Sequence, residues 1–298
     1  MIDITGVSKN YGTRQVLRDV SFTVANARMT GFVGANGAGK TTTMRIILGV
    51  LTADSGTVLI DGQPVTAGDR RRFGYMPEER GLYPKMKVAE QLIYLARLHG
   101  LTPHAARRNT DHLLQRLGLA RSSGALIESL SLGNQQRAQI AAALVHDPEF
   151  LVLDEPFSGL DPLAVEAVMA VLAEYAADGI PVLFSSHHLD IVERLCDDLI
   201  IIGGGEIRAQ GDREALRHRF GSPQFEISLP GDATWLRQVT GITVTDLSIG
   251  SAGSTVRFTA DTDAASQQVL HLALARGAVT AFGPHRVSLA NIFREVVL

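Results

Sequence analysis

The stretch Gly34-Ala35-Asn36-Gly37-Ala38-Gly39-Lys40-Thr41 constrains this chain more than any other. Glycine at positions 34, 37 and 39 lets successive backbone N–H groups turn inward without an obstructing side chain. Met29 to Val33 reads as a strand running into this turn, and Lys40 to Val50 as the helix that follows. A strand–loop–helix of this composition is a phosphate-binding loop. Its anion site combines inward-facing amides with the positive end of a helix dipole. The reading predicts that MgATP is held by Gly34, Asn36, Gly37, Ala38, Gly39, Lys40, Thr41 and Thr42. Lys40 should reach the β and γ phosphates, and the Thr41 hydroxyl should face Mg²⁺.

A second stretch supplies acids. Phe150-Leu151-Val152-Leu153 is an apolar run that ends in Asp154-Glu155-Pro156. A strand buried on both faces carries no acid in its middle, and this one places both carboxylates at its exit. Asp154 is expected on the metal side, through the water shell of Mg²⁺. Glu155, one residue on, is expected to act as the base for the attacking water.

The rest of the chain suits a two-domain α/β protein. At 298 residues it is long enough for two domains. Up to about residue 210, strand-like and helix-like segments alternate, as in folds with parallel strands. Val182 to Ser186 reads as a further buried strand and Leu163 to Ala177 as a helix, while about 85–148 is a helical insertion. A second unit is expected from Ser222-Pro223, dividing the chain into 1–220 and 221–298. Its strands are predicted at Gln224 to Leu229, Ile242 to Ile249, Thr255 to Ala260 and Ala278 to Phe282. Its helices are predicted at Ala233 to Thr240, at Asp263 to Arg276 with Asp261 or Thr262 as cap, and at Leu289 to Val297 after Ser288. The order β-α-β-β-α-β is that of a small α+β ferredoxin-like domain.

Composition narrows the partners. A net charge of −3 supplies no electrostatic footprint for nucleic acid. One cysteine, Cys196, excludes an internal disulfide and fits a reducing compartment. The start Met1-Ile2-Asp3-Ile4 lacks a secretory signal, and no run of about 18 apolar residues occurs. A cytoplasmic protein is expected, with any membrane role exercised through a partner.

Further motifs give the chain a family. Leu130-Ser131-Leu132-Gly133-Asn134-Gln135-Gln136-Arg137, Ser158-Gly159-Leu160-Asp161, His187 after Phe184-Ser185-Ser186, and Tyr11 in Asn10-Tyr11-Gly12 follow in one order with the two stretches above. Over about residues 2–210 the chain resembles the nucleotide-binding subunits of ABC transporters. The resemblance implies a P-loop NTPase fold, with a RecA-like core and antiparallel-β and α-helical subdomains. It implies a head-to-tail dimer, in which Ser131, Gly133 and Asn134 of one subunit meet ATP on the other's phosphate loop. Tyr11 would stack on adenine, Asp161 would belong to the D-loop, and His187 would be the switch histidine. Ser131 opens a helix-like segment through Leu144, so the signature also reads as an anion site at a helix N-terminus.

Two motifs depart from the family. Glu78, in Pro77-Glu78-Glu79-Arg80-Gly81-Leu82-Tyr83-Pro84, stands where a glutamine is usual, and a carboxylate there can still ligate Mg²⁺. Leu132 and Asn134 stand for the usual glycine and glutamine of the signature. These segments are similar to a branch of sodium and antibiotic efflux ATPases that carries a C-terminal accessory domain. Export by a separate membrane permease is therefore expected, with a second copy of this subunit as partner and the inner face of the membrane as location. The competing reading is a soluble ATPase of this class acting on ribosomes or DNA. Such proteins usually carry paired nucleotide domains, a coiled coil or a basic surface, and this chain shows none of them. A third reading, a small-molecule sensor in the C-terminal domain, finds no ligand constellation.

Overall fold

The computed structural model describes residues 1–79, 81–220, 224–251, 253–285 and 288–297. The larger of two compact units, Met1–Arg213, is built on two sheets. Five parallel strands lie in the order Asp198–Gly203, Met29–Val33, Val182–Ser186, Phe150–Leu153, Phe73–Met76, and Glu206–Asp212 pairs antiparallel at the Asp198 edge. The middle three strands are buried at every residue, which explains their continuous apolar runs. A four-stranded antiparallel sheet, ordered Arg14–Val24, Ile2–Tyr11, Ser55–Ile60, Gln63–Pro64, completes the β framework. Its inward alternation puts Ile2, Ile4, Val20, Phe22 and Val24 against Phe32, Phe150, Val152, Leu183 and Ile200 of the first sheet. Met44 and Ile47, on the helix Lys40–Ile47, fill the same core. Complete burial of each such side chain stabilises the fold by about 1.5–3 kcal/mol.

That helix is shorter than the Lys40 to Val50 expected. Gly49 takes φ +68°, and Gly49 and Val50 donate back to Ile46 and Arg45 carbonyls at 3.0 and 2.9 Å, a glycine-terminated helix end. The insertion holds three helices, Val88–Leu98, Pro103–Arg116 and Leu132–Leu144. Thr102 caps the second, its hydroxyl accepting from Ala105 N–H, with Pro103 at the first helical position.

The second unit, Glu214–Val296, begins within the helix Arg213–Phe220, ahead of the expected division. Leu216 on that helix is buried. The expected starting point at Ser222-Pro223 lies outside the described residues. The sheet order is Ile242–Gly250, Gly253–Ala260, Gln224–Leu229, Ala281–His285, all antiparallel. Helix Asp263–Arg276 lies on it, capped by Thr262, with Val269 and Ala273 packed on Ile227, Val256 and Phe258. The helix expected at Ala233 to Thr240 is only a 3-10 turn, Thr234–Gln238. So short a segment cannot offset the cost of nucleation, and Gly241 at φ +79° turns the chain into the next strand. The last strand starts at Ala281 rather than Ala278. The helix before it runs to Arg276, so Gly277 to Thr280 serve as the connection, and the Thr280 N–H and hydroxyl both donate to the Ser228 carbonyl just ahead of the strand. In the single chain Leu289 and Ile292, on the final helix Leu289–Val297, are already buried.

Candidate functional site

The carboxyl ends of four neighbouring parallel strands deliver the predicted site. Val33 leads into the phosphate loop, Ser186 into His187, Leu153 into Asp154-Glu155, and Met76 into Pro77-Glu78. Ligands of open parallel sheets bind at this edge. A cleft of about 580 Å³ lies there, lined by Tyr11, Asn36, Gly37, Gly39, Lys40, Thr41, Thr42, Glu78, Asp154 and Glu155 together with Arg14 and Val16.

Only glycine fits two points of the loop. A Cβ on Gly34 would lie 2.6 Å from the Ile202 carbonyl oxygen, and Gly39 adopts φ +111° immediately before the helix. Gly34 and Ala38 are buried beneath the cleft rather than lining it. Lys40 is 7% exposed, and its ammonium donates to the Gly34 carbonyl at 2.7 Å, at the base of the cradle. The Thr41 hydroxyl donates to Asp154 Oδ2 at 2.8 Å, which brings together two of the three groups expected to face a metal ion. Among the described residues no cluster of three or more metal-binding side chains occurs. A hydroxyl and one or two carboxylates fit Mg²⁺, which keeps waters and takes phosphate oxygens as its remaining ligands.

Glu155 stands in a constrained place. It is 7% exposed and takes φ +51°, a left-handed conformation that costs a non-glycine residue about 1–3 kcal/mol. Three contacts hold it. Its N–H donates to Ser185 Oγ at 2.8 Å, its carbonyl accepts from the Gln136 amide at 3.0 Å, and its carboxylate meets His187 Nδ1 at 2.8 Å. Ser185 also donates to Asp154 Oδ1 at 2.5 Å, so one buried hydroxyl aligns both acids. His188 occupies the cap position of the helix Leu189–Leu195 without a side-chain capping bond, and His187 is left to face Glu155.

The signature lies apart from this cleft. Ser131 caps the helix Leu132–Leu144, its hydroxyl accepting from Asn134 N–H at 3.3 Å. A Cβ on Gly133 would lie 3.3 Å from the Gly159 carbonyl oxygen, so the signature packs closely on the Ser158–Asp161 turn. Asp161 caps the helix Pro162–Ala177, accepting from Ala164 N–H at 2.9 Å. Among the described residues, Ser131, Gly133, Asn134 and Asp161 do not line the cleft.

The sequence reading missed Arg14, Val16, Ser185, Gln136 and Gln139. Arg14 faces Tyr11 across a hairpin, and the Gly12 between them was the available signal. Ser185 and the two glutamines are polar residues in buried stretches, where each must find a partner.

Known proteins agree with this geometry. A family profile described as ABC transporter matches residues 17–158, and one described as ATP-binding protein DrrA1-3-like, C-terminal domain, matches residues 211–297. The uncharacterized ABC transporter ATP-binding protein YhaQ of Bacillus subtilis is 37% identical over 297 residues, 100% of this chain and 98% of the relative. Nod factor export ATP-binding protein I of Burkholderia lata is 38% identical over 237 residues, 78% of either chain. A solved ATP binding subunit of an ABC transporter superimposes with a TM-score of 0.69 at 33% identity, covering 74% of this chain and 93% of that one. The chain belongs to the ATP-binding proteins of ABC transporters and is an ATP hydrolase of that class. Among the described residues no helix is long and apolar enough to cross a membrane.

Proposed function

We propose that this chain drives export through a separate membrane-spanning permease, hydrolysing ATP at sites shared by two copies arranged head to tail. The observation that carries the reading is the separation of the signature from the cleft. Ser131 and Gly133 form the N-terminus of a helix of 13 residues, an anion site outside the lining of this subunit's own phosphate cradle. A second copy supplies the phosphate that such a site suits. The relative named for Nod factor export supports the direction of transport. Residues 1–213 carry the chemistry, and the unit that begins at Glu214 forms an accessory domain without a reacting group. The subunit works at the inner face of the cell membrane, held there by the permease.

Within the site, the loop amides and Lys40 bind the β and γ phosphates, and Tyr11 stacks on adenine. Thr41, Asp154 and Glu78 would hold Mg²⁺, which neutralises charge on the phosphates when bound. Glu155 orients the attacking water and takes its proton as the new O–P bond forms and the β–γ bridging bond breaks. His187 keeps the Glu155 carboxylate aimed at the γ-phosphate position.

Tyr11 is 49% exposed and lines the cleft. Tyr11→Ala should weaken ATP binding by about 1–3 kcal/mol, and GTP binding equally, since stacking tolerates any base. Equilibrium titration with both nucleotides checks this; an unchanged Kd for ATP contradicts stacking.

Fractionation tests the transport reading. A tagged chain expressed in its native host should sediment with the cell membrane and be released by alkaline carbonate, as a peripheral subunit is. Recovery with ribosomes or DNA instead would overturn the assignment to a permease.

A further inference from the structure

Three glutamines on the helix Leu132–Leu144 each direct a side-chain amide at two backbone carbonyls of a separate loop. Gln135 donates to Ile127 and Leu130, Gln136 to Glu155 and Pro156, and Gln139 to Pro77 and Glu79. The Gln139 pair is the most telling. Its bonds measure 2.7 and 3.0 Å, Gln139 is 4% exposed, and its two acceptors flank Glu78 on either side. Pro77 to Glu79 follow the strand Phe73–Met76 as irregular chain, with no ladder or helix to fix them. A buried amide bonded at both N–H groups to one short stretch therefore sets its course. Glu78 itself lines the nucleotide cleft.

We propose that Gln139 is a positioning residue for ATP hydrolysis: by clamping the carbonyls of Pro77 and Glu79, it holds the Glu78 carboxylate at the metal side of the bound nucleotide. The inference rests on the assignment of Glu78 given above. Gln139 touches neither nucleotide nor metal and acts only through the backbone of this turn. Its amide takes the part played around metal sites by groups that orient the ligands rather than bind the ion. Without the clamp, Glu78 samples positions from which it meets Mg²⁺ poorly, while the phosphate cradle and Tyr11 are untouched.

The test uses the full chain with a non-hydrolysable ATP analogue and follows binding as Mg²⁺ is titrated. Gln139→Met keeps the length and burial of the side chain and removes both N–H donors. The Mg²⁺ concentration at half-saturation should rise about tenfold, with affinity for the analogue in EDTA unchanged. Gln139→Asn, one methylene too short to reach both carbonyls, should shift it the same way and serves if the methionine variant does not fold. Glu78→Ala should also raise the Mg²⁺ requirement, and adding Gln139→Met to it should bring no further shift. A normal Mg²⁺ titration in both Gln139 variants beside a shifted Glu78→Ala would overturn the clamp and leave the Glu78 assignment standing. A further shift in the double variant would show Gln139 acting elsewhere. Glu78→Ala with an unshifted titration would remove the Glu78 assignment, and the clamp with it.

Discussion

Glu155→Gln should bind ATP as the unaltered chain does and hydrolyse it roughly 10²–10⁴-fold more slowly. The amide keeps the shape of the carboxylate and can still meet His187 Nδ1, which lies 2.8 Å from Glu155 Oε2. It accepts no proton from water, so the step is lost while the phosphate cradle is intact. The backbone is spared as well. Glutamine at φ +51° is no more strained than glutamate, and the bonds to Ser185 and from Gln136 involve only the main-chain N–H and carbonyl of residue 155. Single-turnover hydrolysis beside equilibrium ATP binding separates the two effects; near-normal turnover would exclude Glu155 as the base.

Lys40→Ala should act earlier, on binding. The ammonium is buried, and its only hydrogen-bond partners in the described residues are the Gly34 and Ala35 carbonyls at 2.7 and 3.5 Å. It therefore meets phosphate as a nearly desolvated charge. Truncating one partner of a buried, hydrogen-bonded charge pair costs about 2–5 kcal/mol, which is roughly 30-fold or more in Kd. Calorimetric titration with ATP reads this directly, and wild-type affinity in Lys40→Ala would place the triphosphate elsewhere.

What the sequence revealed follows from how local each cause is. The phosphate loop depends on glycines, a lysine and a threonine within eight consecutive residues, so it is legible in the sequence alone. The exit of Asp154 and Glu155 from an apolar strand was equally local, as was the helix Asp263–Arg276, whose cap is Thr262 of the two candidates Asp261 and Thr262. The pairing of Thr41 with Asp154 spans two motifs, and each motif predicted its own half.

The arrangement around these motifs was harder to read. Ser185 bonds the Asp154 carboxylate and the Glu155 N–H because Val182–Ser186 lies beside Phe150–Leu153 in the sheet, an adjacency set by packing across the whole domain. Gln136 and Gln139 carry a signal, two polar residues three apart on a buried helix face, yet their partners come from loops that fold against that face. The left-handed φ of Glu155 leaves no trace in residue type at all. The last strand of the smaller unit starts later than its apolar residues suggest, because Gly277 to Thr280 are taken up by the connection from the helix Asp263–Arg276. The start of the smaller unit moved to the helix Arg213–Phe220, which carries no glycine or proline to mark a boundary.

A site divided between two subunits should be visible as mass. Sedimentation velocity of full-length Glu155→Gln with MgATP is predicted to give a species of twice the 32.0 kDa chain, reverting to a single chain when the nucleotide is removed. A single-chain mass at saturating MgATP would contradict hydrolysis at a site completed by the signature of a second copy.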